Sequence, residues 1–123
     1  MHILLVDDSH DILRLVQQVL ALEGHRVSVA RDGLEALQKV ASQRPDAVIL
    51  DVNMPMIEGT EVCRRIKTNY SIPVMMLTVR SEQVDFQRGA DAGADAYLSK
   101  PFDIPVFIEY LNTMLRLRYG KTV

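Results

Sequence analysis

A chain of 123 residues makes one domain of ordinary size and leaves no room for a second. Its 48% apolar content predicts a buried core rather than disorder, and its net charge of −2 argues against nucleic-acid binding, which calls for a basic face. No apolar run nears the roughly 20 residues that cross a bilayer, and Met1 to Asp8 lacks the basic leader of a signal peptide. The lone Cys63 has no partner for an internal disulfide and no metal-spaced neighbour, so a reducing, cytoplasmic setting is expected.

Residues 2 to 6, His2 and then four apolar residues in unbroken succession, read as a central parallel strand, and Asp7-Asp8-Ser9 breaks the run. Asp8 or Ser9 caps a helix marked by Ile12, Leu15, Val16, Val19 and Leu20 and stopped at Gly24. Arg26 to Ala30 alternates and reads as a shorter strand at an edge. After the Asp32-Gly33 turn signal, Leu34, Leu37, Val40 and Ala41 mark a second helix that ends before Pro45. Asp46 to Leu50 is a third strand, buried on both faces, that stops abruptly at Asp51. A loop with Pro55 closes at Gly59, and a third helix turns Val62, Cys63 and Ile66 inward. Val74 to Thr78 is a fourth strand, residues 81 to 92 a polar fourth helix, and Ala96 to Lys100 a fifth strand ended by Pro101. Asp103 caps a last helix with Ile104, Phe107, Ile108, Leu111 and Leu115 on its main stripe, and Val106, Tyr110 and Met114 outside it. Residues 1–118 form the domain and 119–123 a tail or linker start; the chain reads equally as a complete protein or as part of a longer one.

Five short strands alternating with five helices imply right-handed βαβ crossovers. The fold class is therefore α/β, a flavodoxin-like doubly wound parallel sheet of order 2-1-3-4-5. In that order the first, third, fourth and fifth strands are neighbours, and their carboxyl ends carry Asp7/Asp8, Asp51, Thr78 and Lys100. Ligands bind at this edge of open α/β sheets. Three gathered carboxylates repel, and a hard divalent cation such as Mg²⁺ would neutralise them. Asp51 then serves as a nucleophile toward phosphorus, with Lys100 and the Thr78 hydroxyl on the phosphoryl oxygens.

These residues closely resemble the receiver domain of bacterial two-component response regulators. The likeness rests on Asp7-Asp8 after the first strand, Asp51 followed by Met54-Pro55 and Gly59, Thr78 closing the fourth strand, and Lys100-Pro101-Phe102 after the fifth. Tyr97 matches the family's switch aromatic. The resemblance implies a phosphorylation-activated switch that takes its phosphoryl group on Asp51 from a sensor histidine kinase or phosphotransfer protein. It implies Mg²⁺ held by Asp8, Asp51 and the backbone carbonyl of Asn53, with Asp7 acting through water. Thr78 and Tyr97 are the implied switch pair, and a cis Lys100-Pro101 bond is expected. The implied output face is the fourth helix, fifth strand and last helix, acting on an effector, an attached output domain or a second copy. Phe86 and Ala96 stand there in place of an expected base and acid, which weakens the dimer of the DNA-binding branch.

Other functions fit less well. A Mg²⁺-dependent phosphatase of the haloacid dehalogenase type needs a second acid two residues after Asp51, where Asn53 stands and cannot shuttle a proton. A flavin carrier on this fold would meet acids, not a hydroxyl-rich phosphate loop, after the first strand. A receiver-like interaction module that is never phosphorylated is the remaining alternative, and it leaves the complete acceptor set without a use.

The clearest departure is Val79, where the family has Ala or Gly. A β-branched side chain beside the phosphoryl group narrows the approach of water and small phosphodonors, and Arg80 lies next to it in sequence. Val79→Ala is expected to shorten the lifetime of the phosphorylated form, measured as phosphate loss after donor removal. An unchanged rate would refute this role.

Overall fold

In the computed structural model, residues 1–52, 54, 57–78, 90 and 92–120 are described. The elements run β1 (His2–Val6), α1 (His10–Leu22), β2 (Arg26–Ala30), α2 (Gly33–Gln43), β3 (Ala47–Asp51), α3 (Gly59–Asn69), β4 (Val74–Thr78), β5 (Ala96–Ser99) and α4 (Ile104–Tyr119). All five strands pair in parallel in the order β2-β1-β3-β4-β5, the flavodoxin-like order expected, with β2 at an edge. The helix expected over 81 to 92 lies almost wholly outside the described residues, so α4 is the last helix of the chain.

Strand periodicity divides the core into two layers. Leu4, Val6, Val48, Leu50, Val74 and Met76 point to one face of the sheet, under Ala36 and Val40 of α2 and Val62, Cys63 and Ile66 of α3. Ile3, Leu5, Ala47, Ile49, Met75 and Leu77 point to the other, under α1 and α4. The central strands are thus covered on both sides, which is why they read as unbroken apolar runs. Each fully buried Leu or Ile contributes about 1.5–3 kcal/mol.

Three helix faces differ from expectation. In α1 the buried stripe is Leu13, Val16 and Leu20, while Leu15 is 46% exposed, because two residues on from Leu13 is more than half a turn away. In α2 it is Ala36 and Val40 that are buried, while Leu34 and Ala41 face outward. Met114 joins Phe107, Leu111 and Leu115 in the core, whereas Val106 and Tyr110 remain exposed. Arg116 to Tyr119 continue α4 for a further turn. That turn is tied to the base of the sheet: the Tyr119 hydroxyl donates to the Asp46 carbonyl at 2.6 Å, and the Arg118 guanidinium donates to the Ser71 carbonyl at 2.9 Å.

The same pole of the molecule buries two histidines. His2 Nε2 lies 2.8 Å from Ser28 Oγ, and His25 Nδ1 lies 3.3 Å from the amino terminus. Burial holds both imidazoles below their ordinary range, aided by Arg26 at His2 and by the amino terminus at His25. Below about pH 6.5 the unfolded chain then binds protons that the folded chain resists. Stability is therefore full above that pH and declines as pH falls through the depressed folded values. Urea midpoints measured from about pH 7.5 to 5.5 should fall less steeply in His25→Asn than in the wild type. Parallel curves would contradict the assignment.

Candidate functional site

The sheet order delivers the expected residues to one edge. Val6 is level with Leu50 across β1 and β3, so the next residues along, Asp7 and Asp51, emerge side by side. Thr78 ends β4 one step beyond Leu77, the partner of Asp51, and is fully buried. Ser99 is level with Thr78, and the Lys100 amide that follows donates to the Thr78 carbonyl. The Lys100–Pro101 peptide is cis. Just beyond it, Phe102 stacks on Phe107 of α4 with ring centroids 5.3 Å apart, anchoring the turn that carries Lys100.

At the centre of the edge, Lys100 Nζ lies 2.8 Å from Asp7 Oδ2 and 3.7 Å from Asp51 Oδ1. The three side chains are 11%, 1% and 7% exposed, so this bridge operates away from bulk water. The Ser9 amide donates to the other Asp7 oxygen at 2.9 Å, while the Ser9 side chain accepts from Ile12 to cap α1. Asp8 is exposed. Asp7, Asp8 and Asp51 each present an oxygen within 4.8 Å of the others. They line a cleft of about 600 Å³ together with Ser9, Ile12, Lys100 and Pro101. Three hard oxygen donors at this spacing suit a metal ion that keeps part of its water shell.

Behind Asp51 the chain turns back sharply. The Val52 amide donates to the Leu77 carbonyl at 2.9 Å, and the Gly59 amide to the Val52 carbonyl at 3.0 Å. A Cβ on Gly59 would meet the Asp51 carbonyl and would sit 2.7 Å from Val52 Cα, so only glycine lets α3 begin this close to the acid. Tyr97, level with Met76, packs against the core under α2 and α3, and its hydroxyl is buried. Asn53, Val79, Arg80 and Phe86 lie outside the described residues. Sequence reading overlooked that the Ser9 amide holds Asp7; a backbone donor leaves no signal in residue type.

The sequence model of the response regulator receiver domain matches residues 3–112. The chain belongs to this family. It is 42% identical over 117 residues to the response regulator MprA of Mycobacterium avium, covering 94% of this chain and 51% of that protein. The chain thus spans about half the length of the curated relatives it matches. Among solved structures, the chemotaxis response regulator CheY4 of Vibrio cholerae is 34% identical, with 92% of this chain and 97% of that one covered and a TM-score of 0.86. The BeF3-activated N-terminal receiver domain of Klebsiella pneumoniae RstA is 26% identical, with 94% and 99% covered and a TM-score of 0.90.

In this receiver Lys100 offsets two nearly buried carboxylates, and removing one partner of such a set leaves uncompensated charge. Lys100→Met is expected to lose about 3 kcal/mol of stability in denaturant unfolding at neutral pH. Adding Asp7→Asn should restore part of that loss, giving a coupling well above 0.5 kcal/mol. Additive losses would contradict the bridge.

Proposed function

We propose that this receiver is a phosphorylation switch with Asp51 as its acceptor. The observation that carries the reading is Asp51 at the floor of an acidic cleft, level with Asp7 and within reach of Lys100. An Oδ of Asp51 attacks the phosphorus of a phosphohistidine on a sensor kinase or phosphotransfer protein. The new bond is O–P; the N–P bond breaks, its electron pair stays on the imidazole nitrogen, and that nitrogen takes up a proton. Lys100 shifts its charge toward the phosphoryl oxygens, and the Thr78 hydroxyl donates to one of them. Asp7, Asp8, Asp51 and the Asn53 carbonyl would hold Mg²⁺, whose charge, when bound, neutralises the carboxylates and the phosphoryl oxygens together.

The modified acid carries roughly −1.5 to −2 charge, and Thr78 and Tyr97 relay the change to the output face. Val79 and Arg80 would guard the entrance and set the phosphoryl lifetime. The proposed recipient is a downstream effector, an attached output domain or a second copy, through the face built on β5 and α4. Val106, Tyr110 and Leu117 are exposed apolar residues on α4. Turnover is limited to the receiver's own phosphoryl transfer and slow dephosphorylation. The proposed location is the cytoplasm; no helix among the described residues is long and apolar enough to cross a membrane.

Wild type and Asp51→Asn are to be incubated with Mg²⁺ and acetyl phosphate, or with a phosphorylated histidine kinase, and read by intact mass. A gain of one phosphoryl group by the wild type alone is expected. No gain from either donor would favour the unphosphorylated interaction module.

A further inference from the structure

Gly33 opens α2, far in sequence from the acidic cleft, yet it touches the segment that leaves Asp51. A Cβ built on Gly33 would lie 2.7 Å from Val62 Cγ2, 2.9 Å from the Ile57 carbonyl oxygen and 3.0 Å from Ile57 Cβ. Side chains do not approach this closely, so any larger residue must displace something. Little around it has room to yield. The start of α2 is held by the Asp32 side chain, which accepts from the Glu35 amide at 2.8 Å, and by Glu35, which accepts from the Arg31 amide at 2.8 Å. Val62 is fully buried, and Ile57 is half-buried against the same core. Ile57 meets the added Cβ with its backbone oxygen as well as its side chain, so the displacement reaches the main chain there.

Movement of Ile57 has a short path to the acid. Two residues on, Gly59 bonds to the Val52 carbonyl and rests against the Asp51 backbone with no space for a methyl group. A push at Gly33 therefore passes through Ile57 and Gly59 to the residue that presents the Asp51 carboxylate. We propose that Gly33 is a positioning residue for Asp51. Its missing side chain lets Ile57 sit against the start of α2, and so sets the height of the Asp51 carboxylate relative to Asp7 and Lys100. This inference rests on the reading of Asp51 as both metal ligand and phosphoryl acceptor. It accounts for glycine at a helix start, where alanine would be a better helix former.

Gly33→Ala is compared with Val62→Ala, which loosens the same packing without pressing on Ile57. Mg²⁺ affinity is read from amide chemical shifts on titration, phosphorylation from intact mass with acetyl phosphate, and stability from thermal melts. Gly33→Ala is expected to weaken Mg²⁺ binding about tenfold and to slow phosphoryl gain to match. Val62→Ala should lower the melting temperature while keeping wild-type Mg²⁺ affinity. If Gly33→Ala melts earlier yet binds Mg²⁺ and gains phosphate like the wild type, Gly33 is a packing residue only and the proposal fails. If the wild type gains no phosphate from acetyl phosphate or from a phosphorylated histidine kinase, the acceptor reading fails, and the Mg²⁺ titration alone decides the role of Gly33.

Discussion

Like charge crowded at one edge of a sheet is the constraint around which the rest of this receiver is arranged. Asp7 and Asp51 emerge from adjacent parallel strands with almost no exposure, and water does little to screen their repulsion. Lys100 reaches both from a third strand end. That solution depends on topology: only a sheet in which β1, β3, β4 and β5 are consecutive brings these carboxyl ends together. Among the described residues it also leaves the set short of positive charge, since the one ammonium paired with Asp7 and Asp51 serves a group of three carboxylates. A site with that imbalance favours cations.

Thr78 and Tyr97 belong to adjacent strands, with Tyr97 level with Met76, two residues before Thr78. At the opposite pole, α4 is tied through Tyr119 and Arg118 to the residues that lead into β3 and β4. The strands that present Asp51 and Thr78 are therefore anchored at their base.

Much of this was legible in the sequence because two-sided burial writes itself as unbroken apolar runs. β1, β2 and β4 match expectation to the residue, β3 is shifted by one residue at both ends, and β5 is one residue shorter. Strand order followed from the alternation of strands and helices, and the site followed from the order. Helix faces were less legible. Leu13 and Leu15 are chemically identical, and only the docking angle of α1 decides which of them is buried. The roles of the two adjacent acids were equally hidden, since nothing in Asp7-Asp8 says that the first is buried against Lys100 and the second open to solvent. The cis Lys100–Pro101 peptide followed from resemblance rather than from the residues themselves. Gly33 was read as a turn signal; its closeness to Ile57 and Val62 is a long-range contact that local pattern cannot carry.

The central claim is that one carboxylate among three, Asp51, takes the phosphoryl group. Borohydride reduces an acyl phosphate to the alcohol, so a phosphorylated aspartate becomes homoserine while free carboxylates are untouched. Reduction of the phosphorylated wild-type protein, followed by peptide mapping, reads the acceptor directly. Homoserine at position 51 alone is the expected result. Homoserine at position 7 or 8, or none at position 51 in protein that has gained a phosphoryl group, would contradict the account.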